Sequence, residues 1–227
     1  SQSLTNDRTH LNMMMAVLSS LNNWPNVRAV VSCRKYDLEY DSVLNSLKDK
    51  STVIEIGELT EEEVTIALNK LENGLGKKID RVTAKMLRTV QMLDSFSLLF
   101  RRNKSKINFN NQIELYDALW DTVICDSSPR SDVEMREHLM YKIVETIQIA
   151  GTLNPQFIPD SSQKRAYEYL ASNGLIRRDG SAVSFFHQSF YEYTLARHYS
   201  ETGSLFSVDL KKEIQGLEIR STVKAVL

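Results

Sequence analysis

The stretch Ala182 to Tyr199 constrains this chain most, because two kinds of patterning meet inside it. Ala182 to Phe186 is a short apolar run suited to a strand. Ser189 then stands three residues before Glu192, the S-x-x-E spacing of a capping box that opens a helix. Phe190, Tyr193, Thr194 and Arg197 follow at helical spacing, with Tyr191, Leu195 and Tyr199 beside them. His187 therefore falls at a strand-to-helix junction, next to the N–H groups of a new helix. Such a place favours an anion, and a histidine donor there would reinforce it. The alternative is a histidine satisfied within its own turn.

The residues before this stretch prepare for it. Thr152 to Asp160 holds two prolines and reads as a loop. Ser161 or Ser162 is expected to cap a helix through Tyr167 and Leu170, stopped by Asn173-Gly174. Leu175 to Arg178, Asp179-Gly180 and Ser181 to Phe186 then read as a hairpin. Upstream, helices are expected around Leu115 to Val123 and from Glu134 to Ile149. Three helices followed by a two-stranded wing make a winged-helix arrangement.

The first third is organised differently. Arg8 to Leu21 reads as a helix with Leu11, Met14, Met15, Leu18 and Leu21 on one face, ended by Pro25. Val27 to Ser32 and Thr52 to Ile56 are short, nearly wholly apolar runs flanking a helix-compatible segment. That order predicts two strands of a parallel sheet, buried on both faces. The first run delivers Cys33-Arg34 to a strand's carboxyl end, where open α/β sheets bind ligands. Arg34 either reaches a phosphate there or pairs at the surface with Asp37 or Glu39. Thr60-Glu61-Glu62-Glu63 is a second capping box, and from here helices are expected to about Leu71, over Ile79 to Leu93, and over Phe96 to Arg102. Asn103 to Asn111 reads as a linker. The expected fold is thus mainly α with a small α/β remnant: a partial two-stranded parallel sheet, a helical bundle, then a winged helix.

Composition narrows the function. The chain has 227 residues with a net charge of -1, so bulk charge offers nothing to a polyanion. Residues 113–200 carry eight Lys+Arg against twelve Asp+Glu, and a DNA-binding module usually shows a basic face. Cys33 and Cys125 have neither metal nor disulfide spacing, which points to a reducing, cytoplasmic setting. No apolar run approaches the ~20 residues that span a bilayer. Gly74-Leu75-Gly76-Lys77-Lys78 lacks the spacing of a phosphate loop and follows a helix, so it reads as a C-cap and turn. No Walker A loop, Walker B strand or catalytic nucleophile is visible. His10, His138 and His198 sit on helical surface patterns. The chain opens on Ser1 without Met, and is expected to be a piece of something longer.

Taken in order, these features resemble the second half of a STAND-class (NACHT or AP-ATPase-like) P-loop nucleotide switch, a branch of the AAA+ group. Ser32-Cys33-Arg34 resembles the family's S/T-x-R sensor 1. Glu58 to Val64 resembles the segment that leads into the first helical domain. Phe186-His187-Gln188-Ser189-Phe190-Tyr191-Glu192-Tyr193 resembles the F-x-H-x-S-F-x-E-[FY] signature of the winged-helix domain. The resemblance covers residues 1–200 and implies the end of a nucleotide-binding domain over 1–59, a helical lid over 60–110, a winged helix over 111–200 and the start of another element over 201–227. It implies that Arg34 approaches the γ-phosphate of ATP and that His187 touches the β-phosphate of ADP. The implied partners are nucleotide, the protein's own upstream NTPase core and, on activation, further copies of itself. DNA and membrane are not expected. Mg²⁺ would be held only by segments upstream of Ser1, without which no hydrolysis is expected. Val90 to Ser95 stands where the family usually carries a proline near the adenine, and holds none. The competing reading is a winged-helix module that binds DNA or protein with no nucleotide role.

Overall fold

A computed structural model describes residues 8–21, 24, 26–33, 35–126 and 128–202. The contacts divide the chain into two units, one ending at Gly57 and one beginning at Glu58.

In the first unit, α1 spans Arg8–Leu21, α2 Lys35–Tyr40 and α3 Ser42–Asn45, with a 3₁₀ turn over Lys48–Lys50. Asp41 caps α3 by accepting from Val43 N and Leu44 N. The expected parallel strands do not form. Residues 27–33 and 52–60 have no regular structure, and Val30, Ile54 and Ile56 are 97%, 81% and 91% exposed. A strand interior to a sheet needs hydrogen-bonding neighbours on both sides, and the described residues supply none. Arg34 lies outside the described residues.

The second unit is mainly helical, with one small antiparallel sheet. Its helices are α4 (Glu61–Leu71), α5 (Leu75–Lys78), α6 (Arg81–Met86), α7 (Val90–Phe100), α8 (Gln112–Val123), α9 (Arg130–Ala150), α10 (Lys164–Ser172) and α11 (Gln188–Thr202). Strands β1 (Ile176–Asp179) and β2 (Ala182–Phe185) lie between the last two. The capping box at α4 is present: Thr60 Oγ1 accepts from Glu63 N, and Glu63 accepts from Thr60 N. The helix expected over 79–93 breaks earlier, at Leu87 to Thr89, where Leu59 N donates to Arg88 O (2.8 Å). The expected linker over 103–111 is tied down. Phe109 is buried, its N–H donates to Thr83 Oγ1 (2.7 Å), and that hydroxyl donates back to Phe109 O (3.1 Å). Neither serine caps α10: its N-cap position is Gln163, without a side-chain cap, and Asp160 Oδ1 holds the turn before it by accepting from Ser162 N and Gln163 N.

The hairpin pairs Ile176 with Phe185 and Asp179 with Ala182. Gly180 takes φ 59° while Ser181 stays negative. That pattern suits a turn with glycine first, in place of the Asp-Gly turn the sequence suggests. Residues 155–157 add a bridge at Gln156–Ala182. One hydrophobic core runs through the unit from Val64 to Leu195 and takes in Phe96, Phe109, Tyr116, Trp120, Ile143, Leu170 and Phe190. The segments 60–110 and 111–200 therefore share a single interior.

Candidate functional site

His187 is positioned by the residue before it. Phe186 is buried, and its N–H donates to Leu175 O (3.1 Å). Anchoring that ring inside turns the next side chain outward, and the His187 side chain is 21% exposed. The His187 carbonyl accepts from Phe190 N and Tyr191 N (3.2 Å each), so α11 is capped by His187. The capping box expected at Ser189 is absent. Helix α11 starts one residue earlier, at Gln188, and Glu192 accepts from Gln188 Nε2 (3.0 Å). The Ser189 hydroxyl instead meets Gln91 Nε2 of α7 and the Tyr116 hydroxyl of α8.

The facing wall is α7. Met92, Phe96, Leu99 and Phe100 turn inward from it. Gln91 and, one turn on, Asp94 and Ser95 form a polar edge on the helix. Asp94 Oδ2 stands 3.0 Å from His187 Nε2. An ionised carboxylate only accepts, so the hydrogen between them belongs to Nε2. Neutral His187 then offers Nδ1 as an acceptor. Burial holds the imidazole below its ordinary value. Asp94 opposes that shift, and Arg177 on β1 adds to it. The balance favours the uncharged ring.

A second polar cluster joins the end of α8 to α9 and α10. Arg136 is buried; its Nη1 donates to Asp126 Oδ1 (2.8 Å) and to Ile124 O (3.1 Å), and its plane lies 3.7 Å over the Tyr169 ring. Burial pushes the Asp126 carboxyl up, but Ser128, Arg136 and the Tyr169 hydroxyl together hold it well below the ordinary carboxylate range. Cys125 is half-buried. Burial and the neighbouring Glu137 carboxylate push its thiol up to about 11, which suits packing and not nucleophilic attack. His198 Nε2 stands 3.1 Å from Glu145 Oε1, and its ring stacks on Tyr141 at 4.7 Å.

Of the two residues the sequence singled out, His187 is thus placed in detail, and Arg34 lies outside the described residues. The residues that sequence reasoning missed are Asp94, Gln91 and Tyr116. The legible signal was the Gln91/Asp94 pair at helical spacing, which draws notice only once its partner helix is known. Among the described residues no group of three or more His, Cys, Asp or Glu is placed to hold a metal ion, and no helix is long and apolar enough to cross a membrane. Compared with protein-family models, curated proteins and solved structures, the chain matches none.

Proposed function

We propose that this chain is the regulatory half of a STAND-type ATP/ADP-controlled switch, in which His187 reads the phosphate end of a bound nucleotide. The observation that carries the reading is His187 itself: a partly exposed imidazole at a hairpin-to-helix junction, fixed by the buried Phe186 behind it and by Asp94 across from it. The helices α8, α9 and α10 followed by the β1–β2 hairpin follow the winged-helix order, and α11 carries the rest of the signature. The exposed apolar runs at 27–33 and 52–56 are the ones the resemblance assigns to an α/β core. In the parent protein Arg34 would sense the γ-phosphate, and ADP would hold the winged helix closed. Exchange for ATP would release it, a switch biased by differential contacts. Release would expose surfaces through which copies assemble. Against the DNA reading, Arg165 on α10 is engaged by Asp132 (3.1 Å), and among the described residues Lys164 beside it is the cation of that turn with no ion pair.

The hydrogen on Nε2 adds a chemical consequence. Neutral His187 presents an acceptor at Nδ1, so donating to a phosphate oxygen requires a second proton on the ring. ADP binding should draw that proton in, and ADP affinity should fall as pH rises from 6 to 8. The test is ADP titration of the protein that includes the phosphate-loop segment, with wild-type and His187→Ala chains. Weakening of about tenfold or more, with loss of the pH dependence, is the expected result. Equal affinity in the two chains would remove the histidine from the site.

A further inference from the structure

Two clefts of about 580 and about 730 Å³ adjoin on the unit that begins at Glu58. They share Leu98, Ser172 and Gly174, and so make one groove between α7, the end of α10 and the hairpin. Arg101 and Arg102, just past α7, line one end, and Arg177 and Arg178 of β1 line the other. All four are exposed. None of their side chains makes a hydrogen bond or ion pair among the described residues; Arg178 has a ring contact, 5.9 Å over Tyr167. The two acidic residues of the groove are already engaged. Asp126 is held by Arg136 and Tyr169, and Asp94 by His187. Asp126 is balanced by Arg136, and Asp94, whose histidine partner is uncharged, offsets one of four guanidinium charges, so the groove keeps a net positive charge.

Arginines at the two ends of one groove suit an anion with more than one tetrahedral oxyanion, because each guanidinium can donate two parallel hydrogen bonds. The clefts have the size of small-molecule sites, roughly 300–1,000 Å³. The surrounding segment 113–200 is acidic, with twelve Asp+Glu to eight Lys+Arg. An extended polyanion laid across this face would meet that repulsion, whereas a compact one confined to the groove would not. We propose that the groove binds a small anion carrying two or more phosphoryl groups, at a site separate from the His187 ring.

The probe is inorganic tripolyphosphate, titrated calorimetrically into the 227-residue chain at fixed ionic strength. One saturable site is expected. The double variants Arg101→Ala/Arg102→Ala and Arg177→Ala/Arg178→Ala should each weaken binding about tenfold or more. Lys70→Ala/Lys85→Ala removes the same charge from exposed positions outside the groove, and should stay within about twofold of wild type. The ADP titration of His187→Ala reads the imidazole, which does not line the groove, and the arginine doubles read the groove itself. This proposal and the nucleotide reading therefore stand or fall apart. Absence of saturable binding overturns the proposal, and so does equal weakening in the lysine control. A short single-stranded oligonucleotide that binds through the same arginines more tightly than tripolyphosphate would assign the groove to nucleic acid instead. Circular dichroism of each variant checks that the fold survives.

Discussion

At the scale of the residue, His187 is governed by a contest between burial and a carboxylate. Burial wins, so the folded ring titrates below the ordinary 6.5. The sign of the linkage follows. The folded state binds the proton less readily than the unfolded chain, so the neutral ring's contribution is intact above pH 6.5 and is lost as pH falls through the folded value. NMR titration of the ring should report a midpoint under 6.5. Asp94→Asn removes the one neighbour that favours the charged form, and should move the midpoint further down. A midpoint that rises in Asp94→Asn would mean the pair is not formed in solution. The apolar faces were readable in the sequence because helical periodicity exposes them. The His187–Asp94 pair was not, since its members are 93 positions apart and no local pattern joins them.

At the scale of the element, α11 shows how a local rule yields to tertiary packing. Ser189 and Glu192 have the spacing of a capping box, yet the serine hydroxyl serves two other helices. Its partners are Gln91 on α7 and Tyr116 on α8, and the Tyr116 ring is wholly buried 5.1 Å from Phe190. Ser189→Ala should therefore cost about 1–3 kcal/mol, more than an exposed cap would, because the Tyr116 hydroxyl, deep in the fold, loses the first of its three polar neighbours and keeps only Ser95 and Gln91. Urea unfolding measures it. A loss within about 0.5 kcal/mol, the size of an ordinary surface change, would show that water replaces the serine. The contrast with Thr60 is instructive. There the same motif forms in full, and among the described residues the hydroxyl's hydrogen bonds are to Glu63 alone. The hairpin was legible from Asp179-Gly180, and α1 from its apolar face. The strands expected at Val27 to Ser32 and Thr52 to Ile56 were read from apolar composition, which cannot tell whether a neighbouring strand exists.

At the scale of the whole molecule, the unit from Glu58 is held by one core and by a buried ion pair at its back. Asp126→Ala would leave Arg136 charged and buried with only neutral partners, at a cost of about 3–5 kcal/mol in chemical denaturation. A loss under about 1 kcal/mol would show that Ile124 O and Ser128 Oγ suffice for the guanidinium. The expected boundary between a lid ending at 110 and a winged helix beginning at 111 crosses this same interior, where Phe96 and Phe109 meet edge to face at 6.3 Å. Leu98 fits over Gly174, Gln91 reaches Ser189, and Asp94 reaches His187. A chain built so cannot part along that line by degrees. Loosening one contact uncovers the aromatic rings beneath it, and close-packed interiors admit discrete arrangements more readily than gradual ones. Any trigger that separates hairpin from α7 therefore changes how many molecules are open and not how far each one opens.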